Sequence, residues 1–436
     1  MRDIVLTLIV FGSLPFIFRR PYFGVLMWSW LSYMNPHRLC WGFALEMPFA
    51  QIVAITLLAS LLATRQKLTL PRDTTLFFWG LFLFWMVVTT IFAIFPESAV
   101  FQLSKVLKIQ AVTWVTLLLI DDQKKLNQLI WVIVASVGFF SFKGGIFTLT
   151  TGGAYRVYGP SGTFIDENNS LAVATLMIIP LMIYLYRLHA DDKRIKFGIS
   201  AMIIFSTISV FGSQSRGALV AAAAVGGFIW LKSRTKLLSG MAIAIAVVLV
   251  FFIMPESWHS RMDTIQNYEE DESSLGRINA WHYSVNVASS RVTGAGFDSW
   301  SPETFAMWAP DPARVHAAHS IYFSVLADHG WIGLMLFLLI LFLAWRRLAS
   351  VIRRTKNNPS QSQQNLLARM LQVSLIAYMS GGAFLSLAYF DLPWHIVAIA
   401  ILLTHRLQLP EEVPARPNPP GSPSVMQRAA SSGVKS

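Results

Sequence analysis

The sequence predicts an all-α polytopic membrane protein of about 12–13 transmembrane helices with one large ordered loop. Three observations carry that expectation. The 436 residues are 54% hydrophobic and only 13% charged, with a mean hydropathy of +0.52, whereas a soluble domain is roughly 25% charged. Apolar runs recur along the length, and a hydrocarbon layer of about 30 Å needs about 20 helical residues to cross it. Basic residues fall in short clusters between those runs. Helices satisfy their own backbone groups, so lipid accepts them.

The apolar runs lie near residues 3–18, 22–36, 48–64, 75–95, 107–120, 127–149, 170–187, 197–213, 217–231, 237–254, 320–345, 367–388 and 393–405. The first two are short and joined by Arg19, Arg20 and Pro21, as in a shallow hairpin. The N-terminus has the charged and apolar regions of a signal peptide but no small-x-small cleavage site, so it reads as a first helix. Lys and Arg are retained on the cytoplasmic side. One set of alternate loops holds 19 of them, including Arg19, Lys124, Arg187, Lys232 and Arg346, and is read as cytoplasmic. The opposite short loops hold 5: Arg38, Lys105, Lys108, Arg156 and Arg216.

This divides the chain into N-terminal transmembrane helices over 1–149, central helices with outer-side arginine motifs over 150–254, a large periplasmic loop over 255–319, C-terminal helices over 320–408 and a disordered cytoplasmic tail over 409–436. The loop carries nine acidic residues against four arginines and several tryptophans, which predicts an ordered cap at the membrane surface. The tail is rich in Pro, Ser and Gly without an apolar period. No internal repeat is evident.

Composition also excludes some functions. The net charge of +12 is scattered between apolar runs, so it reflects membrane orientation rather than nucleic-acid binding. One cysteine, Cys40, rules out an intrachain disulfide and a thiolate zinc site, and reads as a small buried apolar residue. Charged residues are nearly absent from the span interiors, Lys143 and Arg369 apart, whereas a proton-coupled carrier usually needs intramembrane carboxylates.

Candidate chemistry gathers on the outer side. Arg216, in FGSQSRGALV, lies at a turn between two apolar runs. A guanidinium there suits a phosphate, which it holds bidentately, and Gly212, Ser213, Ser215 and Gly217 permit close backbone approach. Arg156 lies in AYRVYGPSGTFIDENNSLAVA, where Asp166, Glu167, Asn168 and Asn169 are expected to cap the following helix. The long loop adds Arg261, Arg277, Arg291 and Arg314, a tight bend at GAGFDSW, and the acidic run YEEDESS, read as a solvated strip. His316 and His319 would share a helical face, with His329 further along. Metal binding by that pair needs ligands that the sequence does not place. His319 is read as a general base or phosphate ligand, because imidazole titrates near neutral pH.

Four stretches carry a family likeness. HSIYFSVLADHGWIGL resembles the histidine motif that closes the large periplasmic loop of O-antigen ligases and the related polymerases, with Ser320 where many relatives have Asn. SQSRGAL resembles the Ser-Arg-Gly element of that family, RVYGPSGTFIDENNSLA its Arg…Gly…Asn-Asn element, mapping to Arg156 and Asn169, and GRINAWHYSV its Arg-x-x-x-Trp element. The likeness covers about residues 150–345, and WSWLSYMNPHRLCWGFA resembles the exosortase-associated variant labelled as O-glycosylation ligases. The resemblance implies a metal-independent, inverting membrane glycosyltransferase of the bacterial inner membrane without a cofactor. Its donor would be a glycan on undecaprenyl pyrophosphate, and its acceptor a lipid A-core or protein hydroxyl on the periplasmic side. It implies His319 and Arg216 as catalytic residues. Arg156, Arg277, Arg291, Arg314, His316 and Asn169 are expected to bind pyrophosphate or glycan. An O-antigen polymerase using the same donor is the nearest alternative. A lipid-linked glycan transporter would need central charges and paired repeats, and neither is seen.

Overall fold

The computed structural model describes residues 1–64, 68–233, 235–256, 258 and 272–407. Among these the chain is helical, with no strand. In chain order the helices are α1 Arg2–Arg19, α2 Tyr22–Met34, α3 Phe49–Ala63, α4 Thr74–Ile91, α5 Pro96–Leu119, α6 Gln123–Thr150, α7 Asn168–Leu188, α8 Lys193–Gly212, α9 Arg216–Lys232, α10 Lys236–Ile253, α11 Glu272–Ser290, α12 Pro302–Trp308, α13 Ile321–Thr355, α14 Ser362–Gly381 and α15 Asp391–Arg406. Every apolar run read from the sequence is one of these helices. Five of them, α4, α6, α7, α8 and α13, are long and apolar enough to cross a membrane, and the protein is an all-α polytopic membrane protein.

Local chemistry sets the helix starts. Asp73, Asp122, Asp192 and Ser215 each accept a backbone N–H of the first turn with the side chain, opening α4, α6, α8 and α9. Pro96 occupies the first turn of α5, where its missing N–H costs nothing. That start corrects the expected loop before residue 107. Nothing after Pro96 interrupts a helix, so Lys105 and Lys108 lie on α5 itself.

Helix contact in lipid depends on close approach by small residues rather than on a hydrophobic drive. The α6–α8 contact is built that way. A methyl group added at Gly145 would run into the Phe205 carbonyl, one at Gly144 would meet Ser209 and Val157, and Ser141 and Ser206 share a 2.6 Å hydrogen bond. At the α8 end, Gly212 lies against Thr148. Helix α14 packs between α7, α9 and α13, and α13 also packs on α4, α11 and α15. At one end of the bundle Arg347 bonds Asp73 (2.7 Å) and Thr75, tying α13 to α4, while Arg406 donates to the carbonyls of Ile120 and Asp122.

The long loop is largely helical where it is described. Tyr283, Val287 and Phe305 of α11 and α12 form a small core with Ala280, Ala295 and Ala327, separate from the main one. Tyr283 donates to Ser299, stacks on Phe305 and is fully buried. Arg261, most of the acidic run and the tail lie outside the described residues.

Candidate functional site

The site region begins with a break in α13. Gly330 takes φ 66° and ψ −171°, a conformation that only glycine adopts without strain, and the helix opens there. Opening a helix leaves carbonyls without partners. Three in a row find new donors: the N–H of Ala295 bonds Ala327 at 2.8 Å, that of Gly296 bonds Asp328 at 3.1 Å, and the Trp85 indole bonds His329 at 2.8 Å. The GAGFDSW bend, with positive φ at Gly294, Gly296 and Asp298, is therefore a clamp on the broken helix. His329 belongs to this scaffold and not to the mouth of the site. It is fully buried, with Nδ1 2.7 Å from the Thr89 hydroxyl.

The clamp holds α11 against the strap that leads into α13. Asn279 takes the carbonyls of Asp311 and Arg314 with its amide and accepts the Asp311 N–H. Trp281 donates to Ala318 at 2.8 Å and stacks on Phe323 at 4.9 Å. A side chain at Gly276 would meet the His316 ring at 3.1 Å, so glycine is what lets α11 approach the histidines. The sequence element GRINAWHYSV thus acts through Gly276, Asn279 and Trp281 as much as through its arginine.

His319 lies at the end of this strap with φ +41°, a left-handed conformation that costs a non-glycine residue about 1 kcal/mol or more. It is four-fifths buried, its ring 5.0 Å from that of His316. Its Nδ1 is 3.9 Å from a Glu167 carboxylate oxygen and makes no hydrogen bond. Burial, the Arg277 guanidinium and His316 together lower the His319 pKa from 6.5 to about 4. The ring is therefore neutral near pH 7 and able to accept a proton. His316 turns its Nδ1 to the Ala317 carbonyl at 2.8 Å. Among the described residues no group of three His, Cys, Asp or Glu side chains gathers as a metal would require.

Glu167 was expected to cap α7, and it does precede the first helical residue, but its side chain makes no cap bond. Asp166 accepts from Gly162 instead. Asn168, 7% exposed, donates to the Ser213 carbonyl at 2.8 Å, binding α7 to the turn before Arg216. Gln214, in the left-handed region at φ 52°, sends its amide to the Gly153 carbonyl at 2.9 Å, and the Val157 N–H bonds Gly212 at 3.2 Å. The Arg156 and Arg216 loops are thereby stitched together.

Arg216 opens α9 and is half-buried. Its neighbour Gly217 lies so close to Phe384 that a methyl group would sit 2.9 Å from its Cβ, and Gly382 in turn lies against Ile321, two residues after His319. The arginine turn, the 382–390 segment and the histidine strap are thus in sequential contact. Two other predicted binders are engaged elsewhere. Arg291 donates to the carbonyls of Gly294 and Phe92, at 2.9 and 2.7 Å, locking the clamp to the end of α4. Arg314 pairs locally with Asp311 at 3.7 Å. The structure brings together Arg277, His316, His319 and Glu167, and links Arg156 to Arg216 through their loops. Glu167, Asn168 and Gln214 are the additions that the sequence reading missed, and their signal, polar residues flanking each arginine motif, had been absorbed into helix capping.

Residues 1–190 match a family of unknown function, DUF5935, and residues 201–338 match the O-antigen ligase family. No curated protein matches the chain. The second match contains Arg216, Arg277, Gly294, His316 and His319, and over those residues the chain is similar to the O-antigen ligase family.

Proposed function

We propose that the protein transfers a glycan from undecaprenyl pyrophosphate to an acceptor hydroxyl, a lipid A-core sugar, on the periplasmic side of a bacterial inner membrane. The observation that supports this most is the path from the hydrogen-bonded Arg156 and Arg216 loops through the Asn168–Ser213 bond to Glu167, whose carboxylate lies 3.9 Å from His319 Nδ1. One set of loops offers guanidinium groups and a neutral imidazole to the same outer end of the bundle.

In this reading Arg216 and Arg156 hold the diphosphate, and Arg277 adds charge beside it. His319 accepts the acceptor's proton at Nε2 while the freed oxygen attacks the anomeric carbon opposite the diphosphate. The bond from that carbon to the phosphate oxygen breaks, its electron pair passes to the diphosphate, and the configuration inverts. Guanidinium groups fixed in place stabilise the growing charge without rearrangement. A base so placed contributes about 10²–10⁴-fold. A pKa of about 4 makes the empty site a weak base. The diphosphate's negative charge would offset Arg277 and restore basicity when the donor is bound. Glu167 would orient a proton on Nδ1, leaving Nε2 open.

The test uses membrane vesicles supplied with lipid-linked glycan. His319→Asn tolerates the left-handed backbone but cannot act as the base, and Arg216→Ala removes the clamp. Both should abolish transfer at normal expression, and transfer should survive a chelator. Wild-type rates in either variant would remove that residue from the mechanism. Product identity separates the related reactions: glycan on lipid A-core fits a ligase, repeats on the polyprenyl lipid a polymerase, and glycan on protein an O-glycosylation ligase.

A further inference from the structure

Two adjoining clefts lie beside the histidine strap, and their walls carry opposite charge. The nearer, of about 260 Å³, is bordered by Ala317, which separates the two histidines, and by Asp328, Asp298, Gln102, Ser324 and Trp300. The farther, of about 410 Å³, shares Gln102 and Phe164 with it and is lined by Arg38, Lys105 and Asn35.

Asp328 is the informative residue. It is 4% exposed, one carboxylate oxygen accepts the Tyr389 hydroxyl at 2.8 Å, and the other has no hydrogen-bond partner. A buried carboxyl oxygen in that state is destabilising unless a hydrogen-bond partner reaches it. No cation lines the near cleft. Two carboxyl side chains, Asp298 and the buried Asp328, line it, and it suits neutral hydroxyl groups beside an aromatic ring. The far cleft has the reverse character. The Arg38 guanidinium makes no hydrogen bond or ion pair with any described residue, and the Lys105 ammonium rests on the Phe101 ring at 4.1 Å. Gly162, at φ +73°, forms the wall beside Arg38, where an added methyl group would sit 3.2 Å from the guanidinium carbon.

We infer that this polarised groove is the acceptor subsite: the near cleft holds a neutral sugar ring whose hydroxyl reaches His319, and Arg38 and Lys105 hold an anionic group, carboxylate or phosphate, farther along the same saccharide. The acceptor role rests on the transfer reaction proposed above. An inverting displacement brings the nucleophile in opposite the leaving group. The 382–390 segment meets the Arg216 turn through Phe384 and faces the near cleft through Ser386, so it stands between the diphosphate arginines and the groove.

The experiment measures binding without donor. Full-length protein in phosphatidylcholine nanodiscs is titrated with a trisaccharide carrying one terminal uronic acid and with its carboxyl-reduced counterpart. Charge-assisted bonds predict a preference of about tenfold or more for the uronate. Arg38→Ala with Lys105→Ala should abolish that preference and leave the reduced probe's affinity unchanged, while Asp298→Asn and Gln102→Ala should weaken both probes. Equal affinities in the wild type, or a preference that survives the double variant, overturns the anionic end. Unchanged binding in both Asp298→Asn and Gln102→Ala overturns the sugar cleft. Repeating the titration in nanodiscs containing phosphatidylglycerol tells glycan from lipid: loss of the preference there assigns Arg38 and Lys105 to headgroup phosphate and overturns the assignment to acceptor. Protein that binds the probe but transfers nothing keeps a saccharide site and removes the ligase reading. Protein that transfers glycan yet binds neither probe does the opposite.

Discussion

Replacing Arg277 by Met removes a charge beside His319 while keeping a long apolar stem in the same space. Burial is the larger cause of the low His319 pKa and Arg277 the next, so the arginine accounts for no more than half of the fall from 6.5 to about 4. The variant should therefore titrate higher, by at most about one pH unit, equivalent to at most about 1.4 kcal/mol. The sign follows from the direction of the shift. In the wild type the unfolded chain binds this proton below about 6.5 and the folded chain only near 4, so stability is full above 6.5 and declines as pH falls toward 4. In the variant the folded value rises and the loss is smaller. Nitrogen chemical shifts of the His319 ring, assigned by comparison with His319→Asn, would report the midpoint in detergent. An unchanged or lower midpoint in Arg277→Met would refute the electrostatic account, and with it the expectation that bound diphosphate restores basicity.

Other outcomes follow from the geometry. Gly145→Val should force α6 from α8 and destabilise the protein by about 1–3 kcal/mol, seen as a lower midpoint in thermal aggregation from detergent. Arg291→Ala should cost about 1.5–3 kcal/mol by freeing two carbonyls of the clamp, yet leave KM for the donor unchanged; a raised KM with normal stability would move Arg291 into the binding site. Asn168→Ala should reduce transfer more than Asn169→Ala, because only Asn168 bonds the Ser213 carbonyl. Equal effects in a vesicle assay would remove that bond from the positioning of Arg216.

The apolar runs and basic clusters were legible because each is a local property: a run of membrane length is helical in lipid whatever it packs against. All thirteen runs became helices, and the error at Lys105 and Lys108 was one of boundary. The histidine strap and the arginine turns were also visible, since short polar motifs stand out between oily segments. Their division of labour was not. Arg277 and Arg291 look alike in sequence, but one faces an imidazole and the other binds two carbonyls. The Asp-Glu-Asn-Asn run looks like capping, yet Glu167 makes no cap bond, Asp166 accepts from the local Gly162, and Asn168 bonds the distant Ser213 carbonyl.

By itself, then, the sequence determined that this chain lies in a membrane as helices and that its cations cluster between the apolar runs, because hydropathy and charge act residue by residue. Only the tertiary structure decided that His319 is dried and lowered in pKa by its surroundings, that α13 opens at Gly330 to receive the clamp, and that the nearer of two adjoining clefts meets the strap at Ala317. Those features arise from burial and from contacts among residues far apart in the chain, and no local pattern encodes them.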